Sequence, residues 1–205
     1  MTLVEVLVVV LVLLVLAAMI LPNLAGSHRA PRIECASNLK QIGLAYQLWK
    51  EENGGKYPMG VSVTNGGTME LANGRNVWIN FFVMSNQLTT PRVLHCPSDT
   101  DGILATNSWG RLNNQNVSYF VGLDAKPEDP QAILSGDANF QIGGVPVKSG
   151  LLKISSNAPI AWSAARHKFN GNIVLADGSI QMVKNSGLTN LVHQTGLATN
   201  RFAIP

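Results

Sequence analysis

The chain has 205 residues, of which 46% are hydrophobic and only 13% are charged, and its formal net charge is +3. The charged share is about half of the ordinary ~25%, and the few basic residues are scattered, so no nucleic-acid partner is expected. Without its apolar N-terminal stretch the chain has the length of one domain. That remainder is rich in Asn, Ser, Thr and Gly, a composition that suits an extracellular surface.

Residues 1–21 form the longest apolar stretch, and Glu5 is its only charged residue. A helix over these residues would be roughly 30 Å long, which is the thickness of the hydrocarbon core of a bilayer. The many valines favour a strand in water, but a strand this long and apolar would aggregate, whereas a helix in lipid satisfies its own backbone. Residues 1–25 are therefore predicted to be a transmembrane or filament-core helix.

Glu5 stands out because a carboxylate inside an apolar span is costly and is by default a functional hypothesis. The alternative is that Glu5 lies at the membrane interface and has no role. No basic residue precedes Val6, although a secretory signal needs one. Either the chain is not exported by that signal, or a basic leader has been removed and Met1 is the mature N-terminus. In the second case the amine of Met1 lies near Glu5 of the same or a neighbouring copy, and pairing them costs less than burying either charge alone.

Two prolines, Pro22 and Pro31, predict a bent or partly unwound stretch across residues 22–32, since each removes a backbone donor and crowds the preceding turn. Beyond them the helical period returns, and residues 26–53 are predicted to form an amphipathic helix that packs on a sheet and stops at Asn53-Gly54-Gly55. Its apolar stripe consists of Cys35, Leu39, Ile42, Tyr46 and Trp49. Leu44 and Leu48 lie off the stripe and either widen the core face or face neighbouring subunits.

Residues 54–205 are predicted to form a β-rich globular head. Residues 54–110 have the pattern of loops with short strands, and residues 118–123 and 132–137 are strand candidates, the second of them interior. Two further strand-like runs flank Asp177-Gly178, the strongest short-range hairpin signal, which predicts a type I′ turn. Asn170-Gly171 predicts a second turn, and a short helix near residues 187–192 is expected before a final coil. The expected fold is α+β, with a long N-terminal helix on an antiparallel sheet.

Cys35 and Cys96 are the two cysteines of the chain, and they do not form a C-x-x-C pair. If the domain is exported, they predict one disulfide, which would contribute roughly 3–4 kcal/mol in the chain-entropy model. Two free buried thiols are the alternative. A metal site built from Cys96 and His95 lacks the spacing of known ligand pairs, so no metal or other cofactor is predicted.

The run T-L-V-E-V-L-V-V-V at residues 2–10, with Glu5 at the fifth place and Pro22 closing the apolar stretch, resembles the N-terminal region of type IV pilins and type II secretion pseudopilins. The resemblance covers about a tenth of the chain. It implies that a prepilin peptidase cleaves before residue 1 and N-methylates it, and that Glu5 guides subunit docking. The usual first residue of that family is Phe, whereas this chain has Met1.

Three further patches resemble a large group of prepilin-type proteins known from bacterial genomes. They are C-x-x-N-L-K-Q-I-G-L-A at residues 35–45, C-P-S-D at residues 96–99, and an H-x9-D-G pattern made by His167, Asp177 and Gly178, with Asn172 inside it. This second resemblance implies a pilin-like route of export and assembly. It implies no particular biological task.

Two interpretations of the H-x9-D-G pattern are open. His167 and Asp177 would be a catalytic pair in one, but Asp177 is needed by the turn and no nucleophile stands in a G-x-S-x-G setting. In the other, His167 bonds to turn or strand backbone and fixes the register of the hairpin. His28, His95 and His193 are isolated and are taken as ordinary residues.

Two weaker patterns concern sites of other kinds. Asn116 begins an N-glycosylation sequon, N-V-S. Asp99, Thr100 and Asp101 carry oxygen ligands, but the other positions of a calcium loop are not filled, so a solvated turn is the preferred interpretation.

The expected function is structural and not enzymatic. The chain is expected to be a major pilin, anchored in the inner membrane before assembly and then packed through its N-terminal helices into a helical homopolymer on the cell surface. Its further partners would be the prepilin peptidase and the assembly machinery. One alternative is a pseudopilin of a type II secretion system, and an alternative of another class is a membrane-tethered enzyme or binding module with a convergent pocket.

Overall fold

A computed structural model describes residues 2–24, 29–71, 75–99 and 104–205, and for residues 17–24 and 29–31 it describes the backbone alone. The chain divides into two compact units, Met1–Ala30 and Pro31–Pro205. In the described ranges the α-helices are α1 (Leu3–Leu24), α2 (Arg29–Glu52), α3 (Trp78–Phe82) and α4 (Asn185–Gln194). The strands are β1 (Tyr119–Gly122), β2 (Ile133–Asp137), β3 (Phe140–Ile142), β4 (Val145–Pro146), β5 (Gly150–Ser155), β6 (Ile160–Trp162), β7 (Asn170–Leu175), β8 (Ile180–Lys184) and β9 (Thr199–Ile204).

The helix α1 begins with a reciprocal cap that its sequence specifies. The backbone N–H of Thr2 donates to Glu5 Oε2 at 2.7 Å, and the N–H of Glu5 donates to Thr2 Oγ1 at 3.4 Å. Thr2 and Glu5 thus form a capping box, T-x-x-E, which satisfies two donors that a helix start otherwise leaves unpaired. From residue 3 to residue 16 every apolar side chain of α1 is exposed, including Leu3 at 80% and Leu14 at 63%.

Helix α1 continues through Pro22 and ends at Leu24, and α2 already begins at Arg29. In the bent or partly unwound stretch predicted across residues 22–32, residues 22–24 and 29–32 are helical and not unwound, while residues 25–28 lie outside the described part of the chain. Pro31 is tolerated because it occupies the first turn of α2, where its missing N–H has no intrahelical acceptor.

Within the described residues no helix is both long enough and apolar enough to cross a membrane. The transmembrane or filament-core helix predicted from the sequence also includes Met1 and the side chains of residues 17–21. These lie outside the described part of the structure.

Helix α2 buries the predicted stripe, and each of its five residues, Cys35, Leu39, Ile42, Tyr46 and Trp49, is at most 4% exposed. The helix ends at Glu52, next to Gly54 and Gly55, which both have positive φ. Leu44 is 58% exposed and Leu48 is 44% exposed. The interpretation that Leu44 and Leu48 widen the core face is therefore wrong, because they lie on the opposite side of the helix from the stripe.

A six-stranded sheet in the order β5-β9-β1-β2-β7-β8 is antiparallel throughout. Helix α2 packs on one face of this sheet, in a core shared with Tyr119, Leu134 and Val174. Helix α4 and a small sheet of order β4-β3-β6 cover the other face, where Phe120, Phe140 and Trp162 are fully or almost fully buried. The fold is α+β as predicted, and it is consistent with a pilin-like topology.

Two segments differ from the sequence-based expectation. No described residue in the range 54–110 belongs to a strand, and this range holds α3 and short 3₁₀ turns instead: Pro58–Gly60, Val63–Asn65, Met69–Leu71, Pro91–Leu94 and Trp109–Arg111. The expected final coil is also wrong, because β9 runs between β5 and β1. Its six residues show no strong alternation, and their strand conformation comes from pairing on both sides.

The predicted hairpin is present, but its turn is of a different type. Val174 pairs with Ile180, and Gly178 has φ +80°, whereas Asp177 has no positive φ. The N–H of Gly178 donates to the carbonyl of Leu175. This is a three-residue loop whose left-handed residue is Gly178, so the type I′ prediction is wrong. The turn predicted at Asn170-Gly171 is wrong too, since both residues lie in β7.

Gly171 allows β7 to pass directly over the indole of Trp162. A Cβ on Gly171 would lie 2.6 Å from three atoms of that buried ring. We expect Gly171→Ala to lower the free energy of unfolding by about 1–3 kcal/mol, the usual cost of overpacking a core. Urea unfolding of the two proteins measures this difference.

The matched control is Gly60→Ala, because an added Cβ there meets no heavy atom within 4 Å and the backbone φ is ordinary. This control is expected to change the free energy of unfolding by less than about 0.5 kcal/mol. Equal unfolding midpoints for the two variants would contradict the proposed steric role of Gly171.

Candidate functional site

A disulfide joins α2 to the segment that follows the 3₁₀ turn Pro91–Leu94. Cys35 and Cys96 are bonded, with their Cα atoms 5.0 Å apart, and both side chains are fully buried. The predicted pairing is confirmed, and the alternative of two free thiols is wrong. Because both sulfur atoms are used in this bond, neither offers a thiolate in the oxidised protein.

The imidazole of His167 lies against this disulfide. Its Nε2 is 3.4 Å from Cys96 Sγ and 3.5 Å from Asp137 Oδ2, and the side chains of His167 and Asp137 are 1% and 0% exposed. We call these four residues, Cys35, Cys96, Asp137 and His167, the disulfide junction. The carboxylate beside His167 is therefore that of Asp137 and not that of Asp177, the partner considered from the sequence.

An unusual backbone conformation aims His167 into the junction. Three consecutive residues, His167, Lys168 and Phe169, have φ values of 43°, 50° and 62°. The left-handed region costs a residue with a Cβ roughly 1–2 kcal/mol, so other bonds must hold the segment in place. Asn170 Nδ2 donates to the carbonyls of His167 and Lys168 at 3.0 and 2.8 Å, and the N–H of Phe169 donates to the carbonyl of Ser163.

A buried ion pair fixes the residue before His167. Arg166 Nη2 pairs with Asp99 Oδ2, and Arg166 Nη1 donates to the carbonyl of Ser118 at 2.6 Å. The hydroxyl of Ser118 in turn accepts from the N–H of Cys96 at 3.0 Å. With its carboxylate on Arg166, Asp99 is engaged within the protein. The rest of the considered calcium loop, at residues 100–103, lies outside the described residues.

Asp137 is held by Asn172, a member of the H-x9-D-G pattern. Asn172 donates its backbone N–H and its side-chain Nδ2 to Asp137 Oδ2, at 2.7 and 3.0 Å. Burial raises the pKa of Asp137 to about 6, although the bonds from Asn172 and the charges of Arg166 and Arg32 oppose this rise. Burial lowers the pKa of His167 to about 4, and the two arginines lower it further. At neutral pH the carboxylate is charged and the imidazole is neutral.

The other end of the pattern, Asp177 and Gly178, ties the hairpin to α2. Asp177 Oδ1 accepts from the N–H of Ser179 at 2.8 Å, which closes the turn locally. The carbonyl of Gly178 accepts from Lys40 Nζ at 3.0 Å. Lys40 belongs to the patch at residues 35–45, so two sequence patches far apart in the chain meet in one contact.

Further bonds join α2 to the same turn. The carbonyl of Ala176 accepts from Gln47 Nε2 at 2.6 Å and from the hydroxyl of Tyr57 at 2.9 Å. Gly43 faces Val174, and a Cβ at Gly43 would lie only 2.7 Å from Val174 Cγ2. The glycine of the patch therefore allows α2 to approach β7 closely.

The remaining predicted positions lie elsewhere. Met1 lies outside the described residues, and so does the side chain of Pro22, whereas Glu5 caps α1. Asn116 is 7% exposed, and its amide donates to the carbonyl of Leu104 and accepts from the N–H of Asn113. This burial disfavours glycosylation at the weak sequon of Asn116, because a glycan acceptor has to lie at the surface.

The two isolated histidines that the structure describes, His95 and His193, take no part in the junction. His28 lies outside the described residues, and His193 is exposed on α4. His95 is partly exposed, and its carbonyl accepts from Asn38 Nδ2 at 3.0 Å. This bond attaches the residue before Cys96 to the same turn of α2 that carries Cys35.

An open cleft of about 640 Å³ is lined by Arg166 together with Asn139, Phe140, Ser163 and Phe169. Asn139 Oδ1 and Arg166 Nε have no hydrogen-bond partner among the described residues. Its described lining residues include no His, Cys, Asp, Glu or Lys.

Asp137 and Arg166 are the two residues of the site that the sequence patterns did not single out. A signal for Asp137 existed, because an acid at the end of an interior apolar strand must be buried and therefore needs partners. No sequence signal pointed to Arg166, since its partner Asp99 lies far away in the sequence.

The site as a whole is a buried, hydrogen-bonded junction that fastens α2, β2 and β7 together. The Sγ atoms of Cys35 and Cys96 and a ring nitrogen of His167 all lie within 4.8 Å of one another.

Comparisons with protein families, with curated proteins and with solved structures give no match for this chain.

A pH series on the disulfide-bonded protein tests the burial of Asp137. The folded-state pKa of about 6 lies above the ordinary value of 3.8, so the folded protein binds this proton more tightly than the unfolded chain does. The contribution of Asp137 to stability is therefore fully present below about pH 4 and is lost as the pH rises through about 6, with a total of about 3 kcal/mol.

Asp137→Asn removes this contribution and leaves the other titrating groups in place. The wild-type protein should therefore gain about 2 kcal/mol, most of this contribution, relative to Asp137→Asn as the pH falls from about 7 to about 4. Urea unfolding of both oxidised proteins at several pH values measures the difference. Parallel pH profiles would contradict the raised pKa of Asp137 in the folded protein.

Proposed function

We propose that this chain is the major structural subunit of a type IV pilus-like filament on the cell surface. In this proposal the apolar N-terminal segment anchors the subunit in the inner membrane after processing by a prepilin peptidase. The assembly machinery then transfers it into a helical homopolymer whose core consists of the same segments. The protein acts by self-association and carries no enzymatic activity.

The observation that carries this proposal is the surface of α1. Its described side chains from residue 3 to residue 16 are apolar on every side of the helix except at Glu5, and each large one is at least 45% exposed. A helix that is apolar all round requires an apolar environment such as lipid or other helices. Packing against α1 of other copies supplies such an environment and, because the contact is head-to-tail, generates an open filament.

The architecture of the second unit also supports the proposal. Helix α2 lies on an antiparallel sheet, as in the pilin-like fold that the sequence resemblance implies. The head is fastened by a disulfide, which suits an exported protein. A stable, covalently closed head is what an extracellular filament subunit needs.

Glu5 has two candidate roles, and the structure suggests how to separate them. It caps its own helix through Thr2, and in a filament its charge would pair with the N-terminal amine of a neighbouring subunit. The cap needs only an oxygen acceptor, whereas the pairing needs a negative charge.

Glu5→Gln preserves a side-chain oxygen for the cap but removes the charge. We expect this variant to accumulate in the membrane fraction at the wild-type level and to form no filaments, because the neighbouring amine would be buried without a counter-charge. Glu5→Val is expected to behave in the same way. Electron microscopy of sheared material, with immunoblots of the membrane fraction, measures both quantities.

Thr2→Val is the matched control, since it removes the hydroxyl of the cap and keeps the charge of Glu5. Filaments are expected from this variant. The reverse pattern, filaments from Glu5→Gln and none from Thr2→Val, would assign Glu5 to capping alone and would refute the docking role.

The function as a whole is tested on wild-type cells. Long uniform filaments built from this chain, with a methylated Met1 found by mass spectrometry, would support a major pilin. A methylated Met1 in the membrane fraction without surface filaments would favour the pseudopilin. An unmethylated N-terminus preceded by further residues would refute the processing step and favour a tethered enzyme or binding module.

A further inference from the structure

We propose that, once its disulfide is reduced, this chain binds one thiophilic divalent cation, Zn²⁺ in the first instance, at the disulfide junction. Three ligands would come from Cys35, Cys96 and His167, whose donor atoms lie within 4.8 Å of one another. The fourth would be Asp137 Oδ2, which lies 3.5 Å from His167 Nε2. This proposal concerns the reduced form of the head and is independent of whether the chain forms filaments.

The first argument is the geometry of the atoms that surround the sulfurs. In a tetrahedral zinc site, Zn–S bonds of about 2.3 Å and Zn–N bonds of about 2.0–2.1 Å separate a sulfur and a nitrogen ligand by about 3.5 Å. Cys96 Sγ and His167 Nε2 are 3.4 Å apart. A nitrogen and an oxygen ligand would be about 3.4 Å apart by the same reasoning, and His167 Nε2 lies 3.5 Å from Asp137 Oδ2. Two of the ligand separations of a zinc site are thus already present.

The second argument is the type and burial of the ligands. Thiolate, imidazole and carboxylate are the donors that structural and catalytic zinc sites use. The side chains of Asp137 and His167 are at most 1% exposed, and both cysteines are fully buried. Asp137 Oδ1 has no hydrogen-bond partner among the described residues, so hydrogen bonds do not fully compensate this buried carboxylate. A cation beside this carboxylate would compensate for the charge that is buried there.

The third argument is that the ligands are already oriented by other bonds. Asn172 fixes the carboxylate of Asp137 through two hydrogen bonds, and the left-handed segment at residues 167–169 holds the ring of His167. Supporting bonds of this kind are what orient metal ligands in proteins.

Metal and disulfide exclude one another in this scheme. A covalent S–S bond keeps the sulfurs about 2 Å apart, whereas two thiolates on one zinc ion lie about 3.8 Å apart. A phosphine supplies the two electrons: the phosphine takes oxygen from water to become the phosphine oxide, the S–S bond breaks, and the two hydrogens of that water give two thiols. Binding of Zn²⁺ then releases these two protons as the thiolates coordinate.

The test uses the full chain in detergent micelles, reduced anaerobically with a phosphine and titrated with Co²⁺ as a spectroscopic substitute for Zn²⁺. We expect thiolate-to-cobalt charge-transfer bands and intense visible bands of tetrahedral cobalt, saturating at one Co²⁺ per chain. Added Zn²⁺ should displace the cobalt and abolish the bands. The oxidised chain should give no bands under the same conditions.

His167→Asn removes the imidazole, and Asn is one of the residues that tolerate a positive φ. This variant is expected to bind Co²⁺ at least 10-fold more weakly than the wild-type chain, with fewer nitrogen ligands in its spectrum. His95→Asn is the matched control, because His95 adjoins Cys96 without contributing a ligand, and it should bind like the wild type. Equal loss in both variants, or no loss in His167→Asn, would overturn the proposed ligand set.

The circular dichroism spectrum of the reduced chain shows whether the chain loses its fold on reduction. If it does, one equivalent of Co²⁺ or Zn²⁺ should restore the spectrum of the oxidised protein, since metal binding would then be coupled to folding. A reduced chain that gives no tetrahedral cobalt bands, whether it stays folded or unfolds without recovery, would refute the proposal.

Discussion

The attachment of α2 to one face of the six-stranded sheet is the constraint on which the rest of Pro31–Pro205 depends. It consists of three kinds of interaction: the apolar stripe of α2 in the core, the Cys35–Cys96 disulfide, and polar bonds to the β7–β8 turn from Lys40 and Gln47. The disulfide limits the unfolded chain over a long loop, whereas the polar bonds act in the folded state alone. Together these interactions fix the position of α2 on the sheet at both ends of their contact.

The buried junction beside the disulfide shows how the head resolves a conflict between polarity and burial. Asp137 lies at the end of an interior strand, where an uncompensated carboxylate would be costly. Asn172 supplies two donors to it and His167 stands beside it without a charge at neutral pH. The left-handed backbone at His167 is the local cost of placing the ring there. In the oxidised protein the result is a buried, hydrogen-bonded contact beside the disulfide, and the same atoms have the donor set of a thiophilic metal site.

The sequence patterns were informative where a local rule dominates. The stripe from Cys35 to Trp49 predicted the buried face of α2 because burial on a helix follows its period, and Asp177-Gly178 predicted a hairpin because the turn needs a left-handed residue. The sequence patterns were less reliable where pairing with other strands decides whether a segment becomes a strand. Strand β9 was expected to be coil because its six residues carry no strong alternation, and the short elements of residues 54–110 were expected to be strands. Residues that meet only through the fold, such as Arg166 and Asp99, could not be paired in advance.

By itself the sequence determined that this chain has an apolar N-terminal helix with one carboxylate, an amphipathic second helix and a β-rich head with a hairpin near its C-terminal end. These features follow from composition and period, which are properties of neighbouring residues. Only the tertiary structure decided that His167 faces Asp137 and the disulfide instead of Asp177. It also decided that the patch at residues 35–45 is hydrogen-bonded to the hairpin turn through Lys40. The physical reason is that these contacts join residues far apart in the chain, and the order and register of the sheet set their distances.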